Sequence, residues 1–596
     1  MDKKFRDNLY ALLKNDSRLW SEEGKELNQT LLKDLVDKFD EKVIESLLNN
    51  AETKKQFFTK IKEVYVFKPN DFKFFLDENK IDNSFTQLAN KIGLKIEDEE
   101  NDKVILNWPF KDCVLEGGMT KEDSMDVYFK YDKESGGWKE QKTKRKEIFF
   151  NEVLARDEID RLEEPKAFYK WERFTAKGGE KVKEIKRDKS GTIKENFVIK
   201  GNNLLALHSL RAEFTGKIKL IYIDPPYNTG SDSFAYNDNF NHSAWLTFMK
   251  NRLEVARDLL RDDGLIFVQI GHTEQAYLKL LMDEVFGRSR FVNEITWKKY
   301  SGVKNQASKK LTTPQETIFL YSKTENYSIN MQYNQLSEDY VKHEYKHIDE
   351  NGRRYAKLRG RGYQGGGKNT KIKYLDENLG SPITTLWDED YLQISTSSSE
   401  KIDDFTGQKP EALLKRIIGI STLEGDLVLD YHAGTGTTCA VAHKMNRQWI
   451  GVEQLDYSEN NPEERMKGVV AGDKTGISKE VNWKGGGDFI YIQLAKWNEE
   501  AKVKITEAKS YEELAKLFGG LCEKYFLNYN VRVKDFKESV IKSEEFKKLS
   551  LIEQKKMFVK MLDLNQMYVN FSERNDEKYD LAKEDIALSE EFYKQK

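Results

Sequence analysis

Ile218-Lys219-Leu220-Ile221-Tyr222-Ile223-Asp224-Pro225-Pro226-Tyr227-Asn228-Thr229-Gly230 reads as a buried strand that runs into a loop no regular element can continue. The run Ile218 to Ile223 is β-branched and apolar enough for the interior of a parallel sheet, and two prolines then fix φ and remove two backbone donors. Proline also restricts the residue before it, so Asp224 is held extended with its carboxylate aimed past the strand's C-terminal edge. Open α/β sheets bind their ligands at that edge.

A second stretch has the complementary character. Leu427-Val428-Leu429-Asp430 reads as a strand, Ala433-Gly434-Thr435-Gly436-Thr437-Thr438 as a glycine-rich turn, and Cys439 to Met445 as the start of a helix. Gln448 to Glu453 then reads as another strand ending in an acid. Strand, glycine turn, helix, strand and acid form the arrangement that holds a nucleoside cofactor, with glycines for close backbone approach and a carboxylate for ribose hydroxyls.

Alone, a Pro-Pro-Tyr loop is more often a rigid turn, and a glycine turn after a strand is common. Together the two resemble the amino-methyltransferases that act on exocyclic nitrogens of DNA bases. The catalytic motif precedes the cofactor motif by 430 − 224 = 206 positions, the β-class order. The resemblance is to the modification subunit of type III restriction-modification systems. It extends to Phe197-Val198-Ile199-Lys200-Gly201-Asn202-Asn203-Leu204-Leu205-Ala206-Leu207, to Gln408-Lys409-Pro410-Glu411, and to Lys111-Asp112-Cys113-Val114-Leu115-Glu116-Gly117-Gly118.

The resemblance implies S-adenosylmethionine as methyl donor and the N6 of a flipped-out adenine as acceptor. Asp rather than Ser before Pro-Pro-Tyr is the form more typical of the adenine enzymes. In such enzymes the carboxylate and the first proline's carbonyl accept hydrogen bonds from the amine, roles that fall on Asp224 and Pro225, within a motif completed by Pro226 and Tyr227. Tyr227 would stack the extruded base. Asp430, Ala433, Gly434, Thr435, Gly436, Thr437 and Thr438 would cradle the amino-acid end of the cofactor, and Glu453 would take its ribose hydroxyls. Lys409 and Pro410 would complete the pocket, with Gly201 and Asn202 near the adenine. His432 stands where the family usually has an aromatic residue and reads first as a packed histidine, second as a pocket residue.

Composition fits this picture. With 596 residues, 38% hydrophobic and 12% aromatic, the chain should hold about two to four domains with real cores. Met1 to Trp20 lacks the apolar run of an export signal, and no stretch suits a membrane helix, so a soluble cytoplasmic protein is expected. Cys113, Cys439 and Cys522 form no Cys-x-x-Cys pair and none follows a proline, which leaves neither a zinc site nor the nucleophile that cytosine C5 methylation needs. No metal is expected.

In chain order, residues 1–165 read as a mainly helical packing or dimerisation domain, with helices at Glu41–Leu48, Thr53–Lys62 and Ser84–Ile92 and a short strand at Val104–Trp108. Residues 166–323 read as the catalytic half, beginning with a charged connector up to about Phe197. In it His242–Leu260 reads as a helix, Asp262-Asp263-Gly264 as a turn, and Leu265–Ile270, Phe291–Trp297 and Thr317–Tyr321 as strands around a helix at Thr273–Phe286. Alternating strands and helices predict an α/β fold with a doubly wound, mostly parallel sheet of Rossmann type. From about Lys298 to Glu400 the periodicity lapses, that last strand aside, and family position makes 324–400 the target-recognition region. From Trp297 to Lys373 there are 16 Lys/Arg against 7 Asp/Glu, so double-stranded DNA is the expected partner, with Arg353, Arg354, Arg359, Arg361 and Lys368 as candidate contacts. Gly362 to Lys368 has P-loop spacing, but Asn369 replaces the magnesium-binding Ser or Thr and no strand leads in, so nucleotide hydrolysis is not expected. Residues 401–460 read as the cofactor half and 461–596 as a charged, largely helical C-terminal domain. A homodimer and a helicase-nuclease restriction partner are implied by resemblance alone. The alternatives are a solitary amino-methyltransferase, directed at adenine N6 or cytosine N4, or a DNA-specificity subunit with vestigial catalysis.

Overall fold

The structure is a computed structural model. It describes residues 9–76 and 106–149 with gaps, 150–229, 240–301, 311–358, 371–394, 400, 407–524, 544–561, 568–579 and 581–594. Ser84–Ile92, the 362–368 glycine run, and Arg359, Arg361 and Lys368 lie outside the described residues.

Two compact units divide at Val104/Ile105. The first holds helices Gln29–Asp37, Glu41–Asn49 and Ala51–Phe57 and a hairpin pairing Phe58–Ile61 with Val64–Phe67. Asp40 starts the second helix by accepting from the Val43 amide at 3.1 Å, and Asn50 starts the third. Leu32, Val36, Val43, Leu47, Phe57 and Phe72 close its core. The helix expected to run to Lys62 ends at Phe57, because the β-branched and aromatic run that follows pairs as a hairpin instead.

The second unit is built on an eleven-stranded sheet. Its strands are β1 (Phe168–Thr175), β2 (Gly178–Lys181), β3 (Phe197–Lys200), β4 (Ile218–Ile223), β5 (Leu260–Ile270), β6 (Phe291–Lys298), β7 (Gln315–Ser322), β8 (Leu386–Trp387), β9 (Leu427–Asp430), β10 (Gln448–Glu453) and β11 (Asp488–Leu494). Their spatial order is β8-β6-β7-β5-β4-β9-β10-β3-β11-β1-β2. The six strands from β5 to β11 run parallel, and antiparallel pairs flank them on both sides. This is the expected mostly parallel α/β sheet.

Side chains alternate across it. Ile221 and Ile223 of β4 enter one core, with Trp245, Met249 and Leu253 of α2 (His242–Leu259), Leu205 and Leu210 of α1 (Asn203–Phe214), and Leu278 and Leu281 of α3 (Gln275–Phe286). Leu220 and Tyr222 enter the other, with Leu413 and Ile417 of α4 (Glu411–Ser421), Val441 of α5 (Thr437–Lys444) and Val469 of α6 (Pro462–Val470). Helices on both faces bury β4 completely, which is why its sequence is an apolar run rather than an alternating one. Each such Leu or Ile contributes roughly 1.5–3 kcal/mol.

Several readings change. The connector before Phe197 supplies the β1–β2 hairpin, tied to β11, and α7 (Lys583–Phe592) sets Phe592 against Phe168 and Phe197. The strand read at Val104–Trp108 is not formed over Leu106–Trp108, and antiparallel pairs join Cys113–Leu115 to Phe149–Asn151 and Met125–Asp132 to Gly137–Lys144. β5 already begins at Leu260, and the Asp262–Gly264 turn survives as a bulge between the pairs Ile218–Leu260 and Leu220–Leu265. Within 324–400 lie a helix, Glu338–Glu344, a three-stranded sheet formed by His347–Ile348, Arg354–Leu358 and Lys371–Tyr374, and a pairing of Tyr333–Asn334 with Ser381–Pro382. Strands of two to five residues are too short to leave a period in a sequence. Among the described residues no helix is long and apolar enough to cross a membrane.

Candidate active site

Parallel strands bring their C-terminal ends to one edge, and the strand motifs at Asp224, Asp430, Glu453 and Gly201-Asn202 end there. In sheet order β5 leads to Gly271, β4 to Asp224, β9 to Asp430, β10 to Glu453 and β3 to Gly201 and Asn202. Adjacent strands lie about 4.8 Å apart, so residues 206 positions apart in sequence become neighbours in space.

At the end of β4, Asp224 splits its carboxylate between two environments. Oδ2 accepts a hydrogen bond from the Lys409 ammonium, while Oδ1 is buried with no hydrogen-bond partner among the described residues. Burial raises the Asp224 pKa, and Lys409 opposes the rise. Lys409 also stands 5.4 Å from the centre of the Tyr227 ring. Tyr227 donates its hydroxyl to Glu316 Oε2 at 2.8 Å, and burial holds its own pKa well above the usual phenol value. Glu316, on β7, takes Gln269 at 2.7 Å on the same oxygen and Lys299 at 2.9 Å on the other. Burial pushes Glu316 up, but Lys409 and Lys299 outweigh it and keep it ionised. Beyond Tyr227 the chain turns left-handed at Asn228 (φ 56°), whose amide donates to Glu274 at 2.5 Å and accepts from the Phe240 amide at 2.8 Å. Trp245 of α2 holds the Pro226 carbonyl at 2.8 Å.

The glycine turn is the second half. Asp430 accepts from the His432 amide at 3.0 Å and from the Thr438 hydroxyl at 2.5 Å. Gly434 (φ 53°) and Gly436 (φ 80°) are left-handed, the conformation that lets the turn reverse straight into α5. Glu453 accepts from the Gly434 amide at 2.8 Å and from the amides of Gln454 and Leu455, each at 2.8 Å. Burial, reinforced by Asp224 and Glu453, lifts the Asp430 pKa to about 7. Thr437 is held at 2.9 Å by Arg465, which also binds Glu411, the partner of buried Lys444. Ala433 and Thr435 are buried in the turn.

Gly201 lies against Leu494, where a Cβ would stand 2.7 Å from Cδ1. Asn202 caps α1, and its amide nitrogen donates to the carbonyls of Gly117 at 2.9 Å and Glu116 at 3.3 Å, which brings the described part of the upstream motif, Lys111 to Gly117, to this edge. Pro410 caps α4. His432 is neutral, its pKa lowered to about 3 by burial, and packs between Asn203 and Phe248. Arg353 is bonded to Asp376 and Glu377, each at 2.7 Å, and covers the Tyr374 ring, so its charge is already matched; Arg354 is exposed. Lys409 binds the Asp224 carboxylate, a place the cofactor-pocket reading does not anticipate. Glu316, Gln269, Gly271 and Glu274 carry no motif of their own; the first three are found only through the sheet register, and Glu274 through its place at the start of α3.

Residues 218–460 match the DNA methylase family, and residues 40–94 match the type III restriction/modification enzyme methylation subunit. A probable type III restriction-modification enzyme HindVI Mod subunit from Haemophilus influenzae is 40% identical, covering 98% of this chain and 98% of that one. The type III StyLTI Mod subunit of Salmonella typhimurium is 30% identical over 42% of this chain and 50% of its own. Among solved structures, the cytosine-N4-specific PvuII DNA methyltransferase is 17% identical, covers 48% of this chain and 91% of that one, and has a TM-score of 0.30. The chain belongs to the Mod subunits of type III restriction-modification enzymes, which are DNA methyltransferases.

Proposed function

We propose that the chain transfers the methyl group of S-adenosylmethionine to the N6 atom of an adenine flipped out of double-stranded DNA. It does so at one specific sequence, as the modification and specificity subunit of a type III system in the bacterial cytoplasm. The observation that carries the reading is Asp224 Oδ1, a buried, unpartnered acceptor among the described residues, beside Tyr227 at the same edge as the glycine turn. An exocyclic amine is a poor nucleophile because its lone pair is delocalised into the ring. Acceptors at Asp224 Oδ1 and the Pro225 carbonyl localise that lone pair by binding the amine hydrogens, and preorganised acceptors in a dry site are effective at this. Extrusion of the base is required because the nitrogen is unreachable inside a duplex, and Tyr227 offers the stacking face.

The cofactor half fits a cationic ligand. Asp430 sits in the field of Asp224 and Glu453, with a pKa lifted to about 7, so a positive group placed there relieves like-charge repulsion. Asp430 with Ala433 to Thr438 would hold the amino-acid end, Glu453 the ribose hydroxyls, and Gly201, Asn202 and Pro410 the remaining walls. When bound, S-adenosylmethionine supplies an electrophilic methyl group. A homodimer and a helicase-nuclease partner complete the proposed assembly, and Arg354 is the described candidate for DNA contact.

Incubating the purified chain with duplex DNA and tritiated S-adenosylmethionine, then separating the nucleosides, tests the reading. Label in N6-methyladenine is expected, with transfer by Asp224→Ala reduced at least about a thousandfold while cofactor binding stays within a few-fold. Label in N4-methylcytosine, or substantial transfer by Asp224→Ala, would overturn it.

A further inference from the structure

Lys409 is 9% exposed, and its ammonium is committed to one oxygen of one carboxylate. That carboxylate is the acid of the Asp-Pro-Pro-Tyr loop, and with Oδ2 taken by the lysine, Oδ1 is left buried and without a hydrogen-bond partner among the described residues. A residue that merely lined a cofactor pocket would have no reason to choose between the oxygens of Asp224. We propose that Lys409 is the positioning residue for Asp224: it keeps that buried carboxylate ionised and turned so that a single oxygen meets the base amine. This rests on the proposed amino-methyl transfer.

The surroundings explain how the lysine holds its place. Its ammonium donates to the Gly407 carbonyl at 3.2 Å and lies over the face of Tyr227. Glu316, from β7, is near enough to raise the Lys409 pKa, and is itself held by Lys299 and by the Tyr227 hydroxyl. Hydrogen bonds tie the acid to its counter-charge and the stacking tyrosine to Glu316, and the contact of Lys409 with the Tyr227 ring joins the two sets. The groups facing Asp224 are Lys409 before α4, Glu316 on β7, Asp430 on β9, and the neutral phenols Tyr222 and Tyr227. Of these Lys409 alone is positive, so Asp224 depends on it to stay charged while buried among acids.

Removing the charge should therefore protonate Asp224 at higher pH. In Lys409→Met, the acidic limb of the kcat/KM profile for methyl transfer should move upward by at least about one pH unit, with kcat/KM at pH 6 falling more than about tenfold further than at pH 8.5. Lys409→Arg should restore the limb to within half that shift. The dissociation constant for S-adenosylmethionine, measured by calorimetry, should change less than about threefold in both variants, and the melting temperatures show that they fold. An unmoved limb in Lys409→Met with cofactor affinity lowered about tenfold or more would overturn the proposal and leave Lys409 as a wall of the cofactor pocket. So would a moved limb that Lys409→Arg fails to correct. Absence of transfer by the unaltered chain would instead count against the proposed reaction.

Discussion

Asp430 shows how one side chain sets binding against stability. Its ordinary pKa of 3.8 rises to about 7 in the folded protein, with burial as the main cause. The folded state thus retains a proton that the unfolded chain gives up, so ionising Asp430 opposes folding. That penalty is absent below about pH 4, grows as pH rises, and is complete above about pH 7. Asp430→Asn should melt a few degrees above the unaltered protein at pH 8, with the gap closing on acidification. The same change should weaken S-adenosylmethionine binding about tenfold or more, since a charged acceptor is lost. A variant that binds normally, or melts lower at pH 8, would contradict this account. Asp430 and Asp224 were legible in the sequence because each closes a short apolar strand and opens a turn of distinctive residues. Glu316 was not, because Gln315-Glu316-Thr317 is an ordinary strand start whose bond to Tyr227 exists only through the antiparallel register of β5 and β7.

At the level of elements, the sheet's glycines and the helix ends decide whether the two halves keep their geometry. Gly271 closes β5, and a Cβ there would stand 2.9 Å from Cδ2 of the Tyr227 ring. Gly271→Ala should displace the ring and lower kcat by about tenfold to a hundredfold, with little change in cofactor affinity; an unchanged kcat would show that the ring's position does not matter. Under the glycine turn, Glu411 of α4 binds Lys444 of α5 at 2.9 Å and Arg465 of α6 at 2.9 Å, with Glu411 and Lys444 fully buried. Glu411→Ala leaves two cations short of a partner and should cost about 3–5 kcal/mol in denaturant unfolding, where an unchanged midpoint would refute the role given to the network. Element type was readable where an apolar or amphipathic run was bounded by turn residues, as in α2 and β10. It failed from 324 to 400, where short strands are held by pairing across the chain, and at β1 and β2, whose charged exposed faces read as a connector.

Over the whole molecule, the separate cores of residues 1–104 and 105–596 give a division that the sequence reading did not make at that point. A chain beginning at residue 105 should keep a cooperative melt and bind S-adenosylmethionine within a few-fold of the full chain. Sedimentation of the two then tests whether the first unit carries the proposed dimer, with a monomer expected only for the shorter chain. Arg354 extends the account to DNA: Arg354→Ala should lower the slope of log affinity against log salt by about one if it meets a phosphate, whereas Arg353, already paired with acids, should leave that slope unchanged. The identity of the recognised sequence was never legible, since base readout depends on a few side chains placed by a region whose strands leave no period. The most direct measurement is therefore single-molecule sequencing of DNA from cells expressing this chain, scoring N6-methyladenine and N4-methylcytosine by context. The account predicts N6-methyladenine in one short asymmetric motif, on one strand only, and none with Asp224→Ala. N4-methylcytosine in such a motif, or unmodified DNA from a chain that still binds the cofactor, would contradict it.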